Sequence, residues 1–367
     1  MGMDAGSFRG CLLGMAVGDA MGTPVECKRY REICEAYGPQ GLQGYDTANG
    51  LADISSYTQI ALFACNGLLV SVTRGHMDAP KEMRHVVMAF KEWARVQHFP
   101  RSPERRYCWV GRVPQLRRRK IMDARTLDAL TRDALGTPGK PANQSPGPGT
   151  LPAAVAVGLH FHPERMGFQE IGWMGAQVVA LTHGDPLTFL SGAVLAYITA
   201  GLVHAPECSL EEQILQAGQT VMTQFSGAFP QAARLNMMLK ETVEEAKKQE
   251  LPHQKVMEQL ECLTAAQVLC GALYAVLVSG GNLDEAMITA VNHSGKSAAV
   301  AAIAGALLGL SQGEEALPEF YLESLEGADY IRELATDLGM AGPKGLRTRL
   351  FDDEWDRKYT QGLPREN

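Results

Sequence analysis

The chain has 367 residues, of which 46% are hydrophobic and 20% charged, and its formal net charge is −7. These proportions exclude a disordered chain, which combines low hydrophobicity with high net charge, and they argue against a general nucleic-acid binder. Ala, Leu and Met are abundant and aromatic residues make up only 7%, which argues against an all-β sandwich. A chain of this length can bury a sizeable core in one large domain or two smaller ones.

Apolar residues recur at helical spacing along most of the chain. In chain order, this pattern predicts helices over residues 8–22, 58–71, 81–97, 126–135, 151–158, 172–182, 187–203, 265–278, 283–291 and 298–310. Stretches rich in Gly and Pro predict loops at 38–49, 99–114 and 136–149. Because apolar helices continue on both sides of every loop, we predict one all-α domain over residues 1–340. A charged C-terminal extension follows it over residues 341–367.

The cysteines and the N-terminus both bear on location in the cell. The eight cysteines are scattered, form no CxxC pair and lie mostly in apolar stretches, so we expect reduced, buried thiols. Residues 1–10 carry Asp4 and Arg9 and do not match a signal peptide. No window of 18 residues is free of polar breaks, so no membrane span is predicted. These features predict a cytoplasmic protein.

A basic segment runs from Arg101 to Arg125 and holds nine basic residues but only two acids, Glu104 and Asp123. Such a segment can bind an acidic partner or a phosphate backbone. It can equally be a solvated loop and helix face, which is the interpretation we favour.

Three polar segments lie at helix boundaries, where core packing alone does not require them. Residues 18–26 end a helix and carry Glu26 just beyond it. Residues 53–59 place hydroxyls at a helix N-terminus, where unpaired N–H groups can bind an anion. Residues 292–297 open an Ala-rich helix and include Lys296. Each segment alone is a weak signal, because a Ser or Thr at such a position is more often only a helix cap.

Together and in this order, the segments resemble the ADP-ribosylglycohydrolase family. Residues 18–26 match its G-D-A-x-G-x-x-x-E segment, residues 55–60 stand at its T-D-D-T-Q-M segment, and residues 294–306 stand at its G-G-D-T-D-T-x-A-A-I-A-G-A motif. Further family segments match at residues 123–126, 145–149 and 182–183. The resemblance runs from about residue 5 to 338 and implies an all-helical orthogonal bundle.

The departures from the family pattern concern its metal ligands. The resemblance implies two Mg²⁺ ions that organise a ribose and activate a water for cleavage of the C1″ bond. In the family they are held by one Glu, two Asp pairs and Thr hydroxyls. Here Ser56 and Tyr57 stand at one Asp pair, Lys296 and Ala298 stand at the other, and Glu26 is the one principal acidic ligand that remains.

Mg²⁺ requires several hard oxygen ligands in octahedral geometry, and an ammonium nearby would repel it by several kcal/mol. We therefore predict no metal ligands, no bound Mg²⁺ and no other cofactor. Asp46 and Asp53 lie near the second segment, but neither recreates the paired spacing. We expect Lys296 to replace part of the metal's positive charge and to pair with Glu26; the alternative is that Lys296 points to solvent.

Ligand-binding residues are expected in the helix-boundary segments and the Gly-rich loop. The candidates are Ser55, Ser56, Ser145, Gly147, Gly149, His183, Asn292, Ser294, Gly295 and Ser297. Glycines in the 145–149 loop would let a backbone approach a diphosphate, although Leu151-Pro152 stands where the family has Met-Arg. His183 either contacts ligand or is a hydrogen-bonded core residue. We expect His293 to be exposed in its loop.

Three functions are open at this point. The one we favour is a pseudoenzyme that lacks the metal centre and binds an ADP-ribose-like ligand or a protein partner. The alternative is a metal-independent hydrolase of a glycosidic bond, with Glu26 as general base, Lys296 as electrostatic stabiliser and Tyr57 as proton donor. A further alternative is an active Mg²⁺-dependent ADP-ribosyl hydrolase, which whole-chain similarity by itself suggests.

Overall fold

A computed structural model describes residues 5–47, 50–100, 107–120, 123–248, 250–341 and 353–360. Over these residues the protein contains α-helices and short 3-10 helices but no β-strand, only two isolated bridges, and the predicted all-α class is confirmed. The α-helices are α1 Ala5–Gly22, α2 Tyr30–Tyr37, α3 Ser56–Thr73, α4 Ala79–His98, α5 Ala124–Leu130, α6 Ala153–His160, α7 Phe168–Ala180, α8 Pro186–His204, α9 Leu210–Phe225, α10 Gln231–Lys248, α11 His253–Gln259, α12 Ala265–Val278, α13 Leu283–Val291, α14 Ser297–Gln312, α15 Glu319–Glu323, α16 Ala328–Ala341 and α17 Asp353–Tyr359. The 3-10 helices are Thr23–Val25 and Glu314–Ala316.

The ten helices predicted from periodicity are all present, with boundaries that differ by a few residues. The helices that the pattern did not predict are α2, α9, α10, α11, α15, α16 and α17. In α10 the buried residues include Leu235, Leu239 and Val243, which recur every four residues among many charges. Such a surface helix has one narrow apolar face, and its signal is weaker than that of an interior helix.

The central pair of helices, α1 and α14, runs antiparallel with backbone against backbone. A Cβ atom added at Gly14 would lie 2.2 Å from the carbonyl oxygen of Gly305, and one added at Gly10 would lie 2.2 Å from that of Gly309. One turn further along, a Cβ at Gly18 would lie 1.9 Å from the Ala301 carbonyl. The small residues of the two helices therefore let them approach more closely than any side chain would permit. The C-terminal end of α1 consequently lies beside the first turn of α14.

One helix, α8, is long and apolar enough to cross a membrane by length and composition alone, with a mean hydropathy of 1.7 over 18 residues. In the fold, 78% of that stretch is buried inside the protein. It packs against α6, α7 and α9, as expected for a core helix of a globular protein. No other helix of the described residues meets the same test.

All eight cysteines lie in the described ranges and are free. Five of them are buried as predicted, Cys34 and Cys208 are half-buried, and Cys27 is exposed. The prediction of a buried thiol is wrong for Cys27, which follows the 3-10 turn Thr23–Val25 with a left-handed φ of 59° and lies at the protein surface.

Part of the predicted C-terminal extension packs against the domain. Trp355 Nε1 donates a hydrogen bond to Thr73 Oγ1 at 2.8 Å. Tyr359 Oη and Lys358 Nζ both donate to Asp337 Oδ2, at 2.6 and 2.9 Å. Trp355 and Tyr359 are buried, so α17 belongs to the same core as α3 and α16. Residues 342–352 and 361–367 of the extension lie outside the described residues.

Replacing Asp337 by asparagine tests how α17 is held. We expect Asp337→Asn to lower the free energy of unfolding by about 2 kcal/mol, because two buried hydrogen bonds to a charged acceptor are weakened. It should also speed proteolytic release of a C-terminal fragment. Asp329→Asn is the matched control, because that side chain lies on the same helix and is 93% exposed. Equal urea denaturation curves for the two variants would contradict this account of α17.

Candidate functional site

The carboxylate of Glu26 is the centre of the candidate site, and three distant segments meet on it. Glu26 follows the 3-10 turn after α1, and its Oε2 accepts a hydrogen bond of 2.8 Å from the Ala298 N–H in the first turn of α14. Its Oε1 accepts one of 3.1 Å from the Tyr57 hydroxyl in the first turn of α3. Lys296 Nζ lies 3.9 Å from the same Oε1. We call Glu26, Tyr57, Lys296 and the Ala298 N–H the Glu26 site.

Burial governs the proton affinities in the Glu26 site. Burial raises the pKa of Glu26 from 4.5 to about 7, although the Ala298 N–H and the Lys296 charge act in the opposite direction. Burial and the neighbouring Glu26 charge raise the pKa of Tyr57 well above its ordinary value, so the phenol stays protonated. Partial burial alone would lower the pKa of Lys296, but Glu26, Cys27 and Asp123 together outweigh it and raise that pKa. The site therefore holds a protonated phenol, an ammonium and a carboxyl group that titrates near neutral pH.

Asp19, inside the apolar helix α1, holds the N-terminus of α3 in place. Its Oδ2 accepts hydrogen bonds from the backbone N–H of Ser55 at 2.8 Å and of Thr58 at 3.0 Å. The side chain is fully buried, which raises the pKa of Asp19, while these hydrogen bonds lower it. The role of Asp19 was not predicted, although an acid within an apolar helix is a signal of a buried polar contact. Asp19 thereby positions Tyr57 over Glu26.

Of the two serines at the N-terminus of α3, Ser55 has a structural partner. Ser55 is the N-cap residue, and its side chain accepts a hydrogen bond of 3.1 Å from the Tyr57 N–H. Ser55 and Ser56 are 8% and 6% exposed, so neither offers a large surface to a ligand. Their role in ligand binding stays a prediction.

His183 is fully buried and both ring nitrogens are hydrogen-bonded. Nε2 lies 3.1 Å from Asp123 Oδ2, and Nδ1 lies 2.8 Å from Thr182 Oγ1. Burial alone would raise the pKa of Asp123, but the hydrogen bond with His183 and the charge of Lys296 help to lower it. Of the two alternatives for His183, these contacts favour the hydrogen-bonded core residue. From the sequence, Asp123 was known only as part of a segment that matches the family. In the structure it is close enough to Lys296 for that charge to help lower the pKa of Asp123.

The glycines of the 145–149 loop have a packing role against this Asp–His pair. A Cβ at Gly149 would lie 2.2 Å from Thr126 Oγ1, and one at Gly147 would lie 2.9 Å from Asp123 Oδ2. Ser145 Oγ accepts a hydrogen bond of 3.4 Å from the Gly147 N–H within the loop. Packing within the chain therefore already explains why positions 147 and 149 need glycine. Contact of this loop with a diphosphate stays a prediction.

The loop that presents Lys296 is fixed from several sides. Asn292 pairs with both backbone polar groups of Leu42, at 2.8 and 2.9 Å. Ser294 Oγ donates to Glu258 at 2.9 Å, and a Cβ at Gly295 would lie 2.4 Å from a neighbouring carbonyl oxygen. Ser297 is fully buried. These candidates shape the loop around Lys296, and their contact with a ligand stays a prediction.

The expectation that His293 is exposed is wrong. The ring is fully buried, Nε2 donates to the Ala290 carbonyl at 2.9 Å, and Nδ1 accepts from the Gly295 N–H at 2.9 Å. Burial lowers the pKa of His293 to about 4, so the ring is neutral. Both hydrogen bonds of the imidazole go to the backbone of its own tight turn. The polar sequence around His293 does not reveal these contacts.

Two cations of the basic segment, Arg118 and Lys120, form ion pairs within the chain. Arg118 Nη1 lies 3.0 Å from Glu326 and 3.3 Å from Asp53, and Lys120 Nζ lies 2.5 Å from Glu326. Asp53 is thereby turned towards this pair of cations. Asp46 accepts a hydrogen bond of 2.6 Å from the Tyr37 hydroxyl. Residues 101–106 and 121–122 of the segment lie outside the described residues. An acidic partner of the segment stays a prediction.

The chemistry of the Glu26 site does not fit two Mg²⁺ ions. Glu26 accepts two hydrogen bonds and faces the ammonium of Lys296 at 3.9 Å, whereas a metal ion needs oxygen ligands that are free to coordinate it. Over the residues that the structure describes, no three His, Cys, Asp or Glu side chains are grouped as metal ligands.

Comparisons with known proteins agree with this architecture. The family model of ADP-ribosylglycohydrolases matches residues 4–346, so the chain belongs to the ADP-ribosylglycohydrolase family. A solved structure described as an ADP-ribosylglycohydrolase-related protein complex is similar, with 19% sequence identity and a TM-score of 0.54. The alignment covers 92% of this chain and 98% of that one, and at this identity it shows the fold alone. A comparison with curated proteins gave no match.

Proposed function

We propose that the protein is a metal-free member of its family that binds an ADP-ribose-like ligand or a protein partner and does not cleave ADP-ribose. One observation carries this proposal: the carboxylate of Glu26 accepts hydrogen bonds from an N–H and a phenol of its own chain and lies 3.9 Å from the ammonium of Lys296. A carboxylate with these partners does not need a metal ion to balance its charge. The helical fold of the family is retained around it. The single acid and its donors form a polar, nearly neutral site.

The residues of the Glu26 site suit the parts of such a ligand. The Lys296 side chain is 32% exposed, and its ammonium has three N–H donors, so it can still donate to a phosphate oxygen. The Glu26 carboxylate can accept hydrogen bonds from ribose hydroxyls. Positive charge that a metal supplies elsewhere in the family would here come from Lys296.

A metal-independent hydrolase is the second candidate, and the pKa of Glu26 near 7 favours it. A general base works best when its pKa lies near the working pH. Glu26 would take a proton from the attacking water, Tyr57 would give a proton to the leaving group, and Lys296 would stabilise the developing negative charge.

The free cysteines also support the prediction of a cytoplasmic protein.

Calorimetric titration with ADP-ribose in the presence of EDTA tests the proposal. We expect saturable binding that added Mg²⁺ does not change. Lys296→Gln should weaken this binding at least tenfold, about 1.4 kcal/mol. Lys240→Gln is the control, because Lys240 is an exposed residue of α10 that is absent from the Glu26 site.

Turnover assays separate the candidates. Release of ADP-ribose from a modified protein without metal, abolished in Glu26→Gln, would replace the first candidate by the second. Mg²⁺-dependent release would contradict both and establish the family's metal-dependent hydrolysis. Absence of ADP-ribose binding in calorimetry would leave a protein partner alone as the ligand of this fold.

A further inference from the structure

Three residues other than glycine have a left-handed φ in the part of the chain that the structure describes. They are Cys27 with a φ of 59°, Glu261 with 57° and Cys262 with 50°. Such angles crowd the Cβ atom against the following carbonyl oxygen and are unfavourable for residues with a side chain. Strain of this kind persists only where the surrounding structure imposes it, and it is concentrated at functional sites.

All three strained residues contact one peptide unit, the one that joins Gly295 to Lys296. The Cys27 N–H donates a hydrogen bond of 3.0 Å to the Gly295 carbonyl, and the Lys296 N–H donates one of 2.8 Å to the Cys262 carbonyl. A Cβ atom added at Gly295 would lie 2.4 Å from the Glu261 carbonyl oxygen. Because the C=O and N–H of a trans peptide point in opposite directions, this unit is held from both sides. We call it the 295–296 peptide.

The 295–296 peptide determines the direction in which the Lys296 side chain leaves the main chain. Lys296 is the N-cap residue of α14, but its side chain makes no capping hydrogen bond. Its ammonium lies instead 3.9 Å from Glu26 Oε1, and Glu26 is the chain neighbour of the strained Cys27. A rotation of the 295–296 peptide would therefore carry the ammonium away from this carboxylate.

Side-chain packing does not explain the left-handed φ of Glu261. Its side chain is exposed, and its carboxylate accepts a hydrogen bond of 2.6 Å from Gln267 at the protein surface. Glycine would adopt the same φ without strain, and nothing in the core requires a Cβ atom at this exposed position. The carbonyl oxygens of residues 261 and 262, in contrast, both face the 295–296 peptide. This contact is what the left-handed main chain provides.

We propose that Cys27, Glu261 and Cys262 are positioning residues, whose left-handed main chain clamps the 295–296 peptide and thereby holds the Lys296 ammonium beside Glu26, where it can donate to a phosphate group of a ligand. The ligand part of this proposal rests on the proposed function. The position of Lys296 relative to Glu26, however, can be measured without any ligand.

Two exchanges at position 261 with opposite φ preferences test the clamp. Glycine adopts a left-handed φ freely, whereas valine, which is branched at Cβ, strongly disfavours it. Both exchanges remove the hydrogen bond with Gln267, so the difference between them reports the main chain alone. We expect Glu261→Gly to keep Lys296 in place and Glu261→Val to displace it. Glu207→Val is the matched control, because Glu207 is also exposed and its φ is not left-handed.

The pKa of Glu26, followed by the ¹³C NMR shift of its carboxyl carbon, is the measurement. The Lys296 charge lowers this pKa, so displacement of the ammonium should raise it. We expect Glu261→Val to raise the pKa of Glu26 towards its value in Lys296→Met. Glu261→Gly and Glu207→Val should leave it at the wild-type value. An unchanged pKa in Glu261→Val, or an equal rise in Glu261→Gly, would overturn the proposal. If Glu261→Val does not fold, Glu261→Thr provides the same comparison with a smaller branched side chain.

Calorimetric titration with ADP-ribose then tests the ligand part separately. We expect Glu261→Val to bind ADP-ribose at least tenfold more weakly than Glu261→Gly does. If the wild-type protein binds ADP-ribose and the two variants bind it equally well, the role of the clamp in ligand binding is overturned. If the wild-type protein does not bind ADP-ribose, the proposed ligand is wrong, and the titration of Glu26 alone decides whether the clamp positions Lys296.

Discussion

Gly18→Ala is expected to lower the free energy of unfolding by about 3 kcal/mol, the upper end of the cost of overpacking a core. The added Cβ would lie 1.9 Å from the carbonyl oxygen of Ala301, and backbone atoms cannot rotate away as a side chain can. The whole α1–α14 contact would have to widen to accept one methyl group. This loss exceeds the gain of about 1 kcal/mol that alanine brings to a helix interior through its higher propensity.

Gly227→Ala provides the control for this prediction. No atom lies within 4 Å of a Cβ built at Gly227, and its φ is not in the left-handed region. The same methyl group should there leave stability unchanged or raise it slightly by restricting the unfolded chain. Urea denaturation of both variants measures the difference. If Gly18→Ala unfolds at the urea concentration of the wild-type protein, the backbone contact of α1 with α14 is not as close as described.

Glu26→Gln is expected to change how stability depends on pH. The folded protein holds a proton on Glu26 up to a pKa of about 7, whereas the ordinary value is 4.5. A group whose pKa is raised by folding stabilises the folded state fully below the ordinary value, and this contribution is lost as the pH rises through about 7. The wild-type protein should therefore lose about 3 kcal/mol relative to Glu26→Gln between pH 4.5 and pH 8.

Chemical denaturation at several pH values measures this effect. Glu207→Gln, on an exposed residue, should differ from the wild-type protein by the same amount at every pH. Lys296→Met should move the pH dependence further upwards, because it removes a positive charge that lowers the pKa of Glu26. Parallel stability profiles for the wild-type protein and Glu26→Gln would show that Glu26 is not buried as described.

The interior helices and the order of the motifs could be predicted from the sequence, because both are local properties of the chain. Helix α14, for example, is apolar on every side and begins where the polar segment 292–297 ends. The contacts of Asp19 and His293 could not be predicted in the same way. Asp19 serves backbone N–H groups 36 and 39 residues away, and His293 serves its own turn. Neither contact produces a regular spacing of residue types that could be recognised in the sequence.

The candidate site shows the same limit. The resemblance placed Glu26, Tyr57 and Lys296 at related positions, but it gave neither the Ala298 N–H as a partner of Glu26 nor the Asp123–His183 pair. The loop glycines at 147 and 149 were expected near a diphosphate, whereas their nearest neighbours belong to Asp123, Thr126 and His183. Those neighbours come from two separate parts of the chain, the start of α5 and the turn at His183, and only the folded protein brings them together.

The residues that pack α1 closely on α14 are different from the side chains that form the Glu26 site. Glu26 follows one helix of the pair and Lys296 precedes the other, so the close backbone contact of the two helices helps to set the spacing between the two segments. The close contacts of the helix pair at Gly10, Gly14 and Gly18 do not involve the side chains of Glu26 and Lys296. A fold built in this way can lose one reaction and take up another role through a handful of point substitutions.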